Sequence, residues 1–257
     1  MIKIIVTGAR GRMGSRIAAL VKDEPDMALA AGIDIGDSFE AALASLKADA
    51  VIDFTVAEAA AGNAALAAKA RVPIVIGTTG MNEAQNAAIV EASRAIPIVH
   101  SSNMSIGVNV MFSIIEKAAR ALGPTYSIDI EETHHMHKLD RPSGTAKSMA
   151  ESAARGLGVR NPKIAALTED EPWTRGARDD YISVRSFRSG EVIGDHSIRF
   201  SGPAEQLCIQ HHAENRDLFA QGALAAARWI AGKPAGLYTM ADVLGLVRSC
   251  DGAFVRS

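Results

Sequence analysis

Ile2-Lys3-Ile4-Ile5-Val6-Thr7-Gly8-Ala9-Arg10-Gly11-Arg12-Met13-Gly14 follows the initial methionine. A strand-like run rich in β-branched side chains meets a glycine loop, and the loop leads into an amphipathic stretch over 12–22. Strand, glycine turn and helix, in that order, are the pattern expected of a dinucleotide site. The glycines let the backbone turn tightly and approach a pyrophosphate, which then rests at the helix N-terminus. The spacing is GxxGxxG, with Arg10 in place of the middle glycine of the strict GxGxxG form. Asp34 lies about 20 residues past Gly14, at the end of the second predicted strand, where a ribose-binding carboxylate is expected. A tight turn holding no ligand is the plain alternative.

Working outward, short apolar runs over 2–7, 28–34, 50–54, 72–76 and 96–99 alternate with helical patterns over 12–22, 39–46, 57–69 and 83–94. Runs such as Val72-Pro73-Ile74-Val75-Ile76 are apolar on both faces, which suits parallel strands covered above and below by helices. The fold class predicted is α/β, a doubly wound, Rossmann-type parallel sheet. Gly77-Thr78-Thr79-Gly80 and Ser101-Ser102-Asn103-Met104 end the fourth and fifth strands. They are expected at the same sheet edge as the glycine loop, although residues of these types also favour ordinary turns.

Beyond residue 105 the pattern changes. A helix over 108–122 stops at Gly123-Pro124, and strands follow over 127–133, 181–187, 191–200 and 206–212, with alternating polar and apolar residues. This predicts a second, α+β domain on an open mixed or antiparallel sheet with one wetter face. Asn215 is read as the cap of a helix through Ile230, and Thr239 with Asp242 as a capping box for a last short helix.

Composition excludes several classes. Lys and Arg total 27 against 29 Asp and Glu, a net charge of −2, so the chain lacks the basic excess of a general nucleic-acid binder. Hydrophobic residues are 48% and charged residues 22%, as in globular domains and unlike disordered or fibrous chains. The most apolar stretch, over 59–68, is far short of the roughly 20 residues that span a bilayer. Cys208 and Cys250 lie in unrelated segments without metal-type spacing, and the first strand leaves no room for a signal peptide; both point to the cytoplasm.

The densest chemistry is Glu131-Glu132-Thr133-His134-His135-Met136-His137-Lys138-Leu139-Asp140-Arg141-Pro142-Ser143-Gly144-Thr145-Ala146. Ser143 is read as the cap of a helix opening at Gly144-Thr145, whose amides attract an anion. Imidazoles and an ammonium facing such a helix form a pocket for a carboxylate, and a histidine there can donate a proton near neutral pH. A metal set of His134, His135 and His137 and a solvated polar loop are the competing readings; the absence of Cys or HExxH spacing speaks against the metal.

These residues resemble one family, dihydrodipicolinate reductase. The matching pieces are GARGRMG at 8–14, VIDFT at 51–55, VIGTTG at 75–80, NMSIGVN at 103–109, EETHHMHKLDRPSGTA at 131–146, SGEVIGDHSIRF at 189–200 and GLYTMADVLGL at 236–246. The resemblance implies an NAD(P)H-dependent reduction to tetrahydrodipicolinate in the diaminopimelate route of lysine biosynthesis. It implies His134 and Lys138 as proton donors, and His135, Gly144 and Thr145 on substrate carboxylates. Gly8, Ala9, Arg10, Gly11, Arg12, Met13, Asp34, Gly77, Thr78, Thr79, Ser101, Ser102, Asn103 and Met104 are implied at the cofactor. No metal is implied. NADH is expected to be preferred over a tolerated NADPH, because a 2′-phosphate would meet Asp34 and the next residue is Ile35 rather than an arginine. A homotetramer formed through the second-domain sheets is implied, with no nucleic-acid or membrane partner. The domains expected are 1–104 with 215–257 for the dinucleotide, and 105–214 for substrate and assembly. The chain departs from the family pattern at Ser101-Ser102, Arg141 and Gln206, and is shorter between Asp34 and Val51. Two rivals share these features: a nicotinamide reductase acting on another imine or oxo acid, and a regulator that binds NAD(H) without turnover.

Overall fold

The computed structural model describes residues 1–160, 162–167 and 181–246. The first hundred residues form β1 (Ile2–Thr7), α1 (Arg12–Asp23), β2 (Met27–Ile33), α2 (Phe39–Ser45), β3 (Ala50–Asp53), α3 (Ala57–Ala70), β4 (Ile74–Ile76), α4 (Glu83–Ser93) and β5 (Pro97–His100). The order is the predicted one. β4 starts later than expected because the amide of Val72 turns back to the carbonyl of Ala67 and closes α3. The rest of the chain forms α5 (Ile106–Leu122), β6 (Ser127–His134), α6 (Gly144–Leu157), β7 (Lys163–Leu167), β8 (Tyr181–Arg188), β9 (Asp195–Ser201), β10 (Gln206–His212), α7 (Asp217–Ile230), β11 (Gly236–Tyr238) and α8 (Met240–Val243). The chain divides into two compact units, one of Met1–Ile106 with the segment returning from Phe219, the other Gly107–Leu218.

In the first unit six parallel strands lie in the order β11-β5-β4-β3-β1-β2. Side chains alternate along each strand, and both faces are covered. Ile4, Val6, Ile52 and Val75 pack with Ile17 and Val21 of α1 and with Ala223 and Ala227 of α7. Ile5, Val51, Ile74 and Ile98 pack on the opposite face with Leu43, Ala60, Ala64 and Ile89. Strand order reverses between β1 and β3, the switch point beyond whose carboxyl end ligands collect in such sheets. β11 was not anticipated: Gly236-Leu237-Tyr238 is too short to show a period and forms a strand only by pairing with β5.

The second unit has a five-stranded sheet in the order β10-β9-β6-β8-β7. The antiparallel expectation holds for β6, β9 and β10, whereas β8 runs parallel to β6 and β7 parallel to β8. Between β6 and β7 the chain crosses back over the sheet through α6, so β7 runs in the same direction as β6, as in a β-α-β crossover. β7 went unread because Lys163-Ile164-Ala165-Ala166-Leu167 holds a single β-branched residue. β9 starts at Asp195 rather than 191, since 189–194 form a turn and loop. On β6 the face bearing Ile128 and Ile130 packs with Ile115 of α5 and Met149 and Ala153 of α6. The same face continues as Glu132 and His134: the apolar alternation persists, and only its chemistry changes.

Cys208 is an exposed free thiol, and Cys250 lies outside the described residues. Among the described residues no helix is long and apolar enough to cross a membrane.

Candidate active site

The glycine loop in the first unit is a cradle with no room for side chains. Gly8 has φ +76°, and a Cβ there would lie 2.3 Å from the carbonyl oxygen of Phe54. A Cβ on Gly14 would lie 2.0 Å from the Gly8 carbonyl oxygen, so the first turn of α1 lies directly on the loop. The amides of Gly8 and Ala9 donate to the Ile33 carbonyl at 2.9 and 3.1 Å, and that of Gly11 to Gly8 at 3.0 Å. Gly11 caps α1 without a side-chain hydrogen bond, and the first turn carries no acidic residue. Arg12 opens the helix, exposed, while Met13 leans on the core. An anionic pyrophosphate suits this helix start: the amides of the first turn of α1 have no acceptor within the helix, and that turn carries neither a side-chain cap nor a carboxylate.

Asp34 follows β2 as expected. Its carboxylate accepts from the amides of Arg10 (2.6 Å) and Ile35 (2.8 Å), which hold it below the usual carboxylate range. The Arg10 guanidinium binds Asp37 at 3.1 Å and the Ile35 carbonyl at 2.5 Å, with Asp34 4.0 Å away.

The neighbouring loops divide into side chains facing out and side chains facing in. The amide of Gly77 donates to the Asp53 carbonyl at 2.9 Å, and Thr79 is exposed. Thr78 is buried, its hydroxyl donating to Asp53 at 2.6 Å. Asp53 also accepts from Thr7 (2.7 Å), Thr55 (3.0 Å) and Asn63 (2.7 Å), tying together the ends of β1, β3 and β4. Its role was missed, although VIDFT was among the matched pieces. Ser101 accepts the amide of Met240 at 2.8 Å and so anchors α8, Ser102 is exposed, and Asn103 accepts the amide of Ser105 at 2.8 Å. The Met104 side chain lies in the core.

In the second unit β6 ends at His134, whose Nδ1 is hydrogen-bonded to Glu132. Two residues apart on a strand, both side chains face the same way. The carboxylate of Glu132 further accepts from Arg188 Nη1, at 3.1 and 3.2 Å, and from the Ser143 amide at 3.2 Å. Burial by itself raises this carboxyl, but hydrogen bonds from His134 and Ser186 and the charges of His134 and Arg188 outweigh it and bring it down to about 2. Arg188 also donates to the carbonyls of Lys138 (3.1 Å), Phe187 (2.6 Å) and Asp140, so one guanidinium holds both the carboxylate and the loop that follows His134.

Beside His134 the His196 ring stands edge-on, centroids 5.0 Å apart. Burial, with the His134 charge adding to it, drives His196 down to about 3; its Nε2 lies 3.5 Å from the Ser143 hydroxyl. Gly194 flanks both rings, and a Cβ there would lie 3.1 Å from His134 Nε2. Ser143 caps α6 as expected, accepting from the Ala146 amide at 3.2 Å, which places Gly144 and Thr145 at the helix start. Lys138 pairs with Asp140 at 2.9 Å. His135 is lowered by burial and by the charge of Arg216, and its Nδ1 is out of solvent without a partner.

The metal reading meets a different trio. His137 is exposed and lies 3.5 Å from Glu191. Glu132, His134 and His196 do bring ligand-type atoms within 4.8 Å of one another. Both oxygens of Glu132 are already engaged by Arg188, His134 and the Ser143 amide, so the cluster is a hydrogen-bond hub whose carboxylate has no direction left for a cation. Glu132, Arg188, Gly194 and His196 were missed as site residues. The alternation along β6 could have shown Glu132; the others depend on pairings with β8 and β9.

Family models described as "Dihydrodipicolinate reductase, N-terminus" and "Dihydrodipicolinate reductase, C-terminus" match residues 2–104 and 107–244. A 4-hydroxy-tetrahydrodipicolinate reductase of Anaeromyxobacter sp. (strain Fw109-5) is 43% identical over 274 residues, covering 96% of this chain and 98% of the relative. One from Methanoculleus marisnigri is 41% identical over 259 residues, covering 96% and 100%. In fold, the chain is similar to dipicolinate-bound dihydrodipicolinate reductase from Paenisporosarcina sp. TG-14, with a TM-score of 0.76 at 24% identity, covering 93% of this chain and 97% of that one.

Proposed function

The chain belongs to the dihydrodipicolinate reductase family, and from that premise we propose how its own residues divide the reaction. The protein is an NAD(P)H-dependent 4-hydroxy-tetrahydrodipicolinate reductase of lysine biosynthesis, acting on a small-molecule substrate. The first unit binds the nicotinamide dinucleotide, its pyrophosphate at the start of α1 on the loop Gly8–Met13 and its ribose at Asp34. Gly77, Thr79, Ser102 and Asn103 complete that site. Thr78, Ser101 and Met104, whose side chains are engaged within the fold, contribute through their backbone. When bound, the reduced cofactor supplies the hydride.

The second unit holds the dicarboxylate substrate. His135 and the amides of Gly144 and Thr145 take its carboxylates, where the helix start favours negative charge. Hydride addition to a conjugated imine leaves an electron-rich, enamine-like product that needs a proton. His134 donates it from Nε2, and Lys138 serves as a second donor. The observation that carries this reading is the hub at Glu132, which binds both the imidazole of His134 and the amide of Ser143 at the head of α6. NADH is the preferred cofactor and NADPH is tolerated. The polar face of the second sheet, with Asp129, Glu131, Arg185 and Arg199, supports assembly into a homotetramer, and the free thiol of Cys208 suits a cytoplasmic setting.

The test is NADH consumption with substrate freshly made from pyruvate and aspartate semialdehyde by the preceding enzyme. Oxidation of NADH that requires both precursors is expected, and a His134→Gln variant should bind nucleotide normally while turning over about 10²–10⁴ times more slowly. Absence of turnover by the wild-type enzyme, or turnover by the variant within about twofold of wild type, overturns the reading.

A further inference from the structure

We propose that Glu132 is a positioning residue that holds His134 in the tautomer whose Nε2, and not Nδ1, exchanges the proton with substrate; this rests on the reading of His134 as the proton donor. The carboxylate is wholly out of solvent and held in its charged form by its neighbours. A carboxylate only accepts hydrogen bonds, so the Nδ1 facing it must carry a hydrogen. Every proton exchanged by this ring therefore leaves or enters at Nε2. Gly194 keeps that edge clear: any side chain there would begin 3.1 Å from Nε2. His196 closes the flank with a ring driven to its neutral form, adding no competing positive charge.

The same carboxylate reaches the other half of the site. Glu132 accepts the amide of Ser143, whose hydroxyl accepts the Ala146 amide in the first turn of α6. Proton donor and anion-binding helix start are thus set in register by one side chain. Arg188 fixes that side chain through both oxygens, so it cannot rotate away from the imidazole.

In the transfer itself the Nε2–H bond of the imidazolium breaks, and the proton goes to the substrate atom that receives the π electron pair displaced from the conjugated imine as the hydride's own pair becomes the new C–H bond. Neutral imidazole remains with its hydrogen on Nδ1, and Glu132 stays a carboxylate throughout.

The experiment compares full-length wild type, E132Q, H134Q and the double variant, reading kcat, KM, the affinity for dipicolinate, and ring-nitrogen spectra of 15N-histidine-labelled protein. E132Q should lose roughly 10- to 100-fold in kcat, with dipicolinate affinity within about threefold of wild type. The double variant should be no slower than H134Q, because the two residues act as one unit. The spectrum of wild type should show neutral His134 protonated on Nδ1, and E132Q should lose that form. Wild-type kcat in E132Q beside an inactive H134Q overturns the role of Glu132, as does a loss that multiplies in the double variant. A matched fall in kcat and dipicolinate affinity makes Glu132 merely structural and also overturns it. His134 protonated on Nε2 in the wild type does so without any variant. Near-wild-type turnover in H134Q instead overturns the donor assignment on which the inference rests.

Discussion

Arg188 on β8 spans both carboxylate oxygens of Glu132 on β6, at 3.1 and 3.2 Å, and the two side chains are 2% and 0% exposed. A buried pair of this kind is costly to break from one side, because the remaining charge is left without compensation. Arg188→Met is therefore expected to lower the unfolding free energy by about 3 kcal/mol or more. It also releases the carbonyls of Lys138 and Asp140, so KM for substrate should rise. Denaturant unfolding and steady-state kinetics check both; a loss below about 1 kcal/mol contradicts the buried-pair account.

Lys138 pairs with Asp140 at 2.9 Å in the unit that holds His134. Lys138→Ala should damage the reductase reaction and leave NADH affinity nearly unchanged, as read by fluorescence titration. An equal loss of NADH affinity places the lysine at the cofactor instead.

Cofactor preference is expected to turn on Asp34. Its carboxylate would face a 2′-phosphate with like charge, and Arg10 is already engaged by Asp37 and the Ile35 carbonyl. NADH is expected to be favoured by about 1 kcal/mol, roughly fivefold in kcat/KM, the scale of one partly compensated charge contact. Asp34→Gly should narrow or reverse the ratio. Both cofactors must be measured at one salt concentration, since screening alters the outcome. A wild type favouring NADPH about tenfold shows that the arginines of the loop decide.

The Cβ of alanine at Gly14 would collide with the Gly8 carbonyl. Backbone on both sides cannot yield as a side-chain tip can, so Gly14→Ala should cost about 3 kcal/mol and weaken NADH binding through the displaced loop. Thermal unfolding with and without NADH reads both effects; unchanged binding contradicts the role of the cradle.

Acid should destabilise the fold in two overlapping windows. His196 titrates at about 3 in the fold against an ordinary 6.5, so between those values the unfolded chain binds the extra proton and stability rises with pH, complete above 6.5. Glu132, at about 2 against an ordinary 4.5, contributes stability present above 4.5 and lost as pH falls toward 2. Replacing His196 with Gln should remove up to one proton from the dependence between pH 6 and 4, about 1.4 kcal/mol per pH unit. An unchanged slope in urea unfolding across that window contradicts the buried neutral imidazole.

What the sequence determined by itself was whatever depends on neighbours within a turn or two. Glycines at 8, 11 and 14 make a cradle because the turn and the helix start are contiguous. Ser143 caps α6, and the Asp242 side chain closes on the Thr239 amide, because three residues span one helical turn. The apolar runs of the first unit read as parallel strands because covering helices demand two apolar faces. Tertiary structure alone decided what lies opposite. Arg188 reaches Glu132 because β8 pairs with β6 in parallel, with His134 beside Arg188 and Ser186 beside Glu132, and His196 arrives from the antiparallel partner β9. Likewise Thr78 and Met104 lie in loops expected to line the cofactor edge of the sheet, yet a buried carboxylate and a core face draw their side chains in. Periodicity shows which face of a strand is buried; register between strands far apart in the chain is set by the packing of the whole sheet, and that packing chose the partners of the histidine.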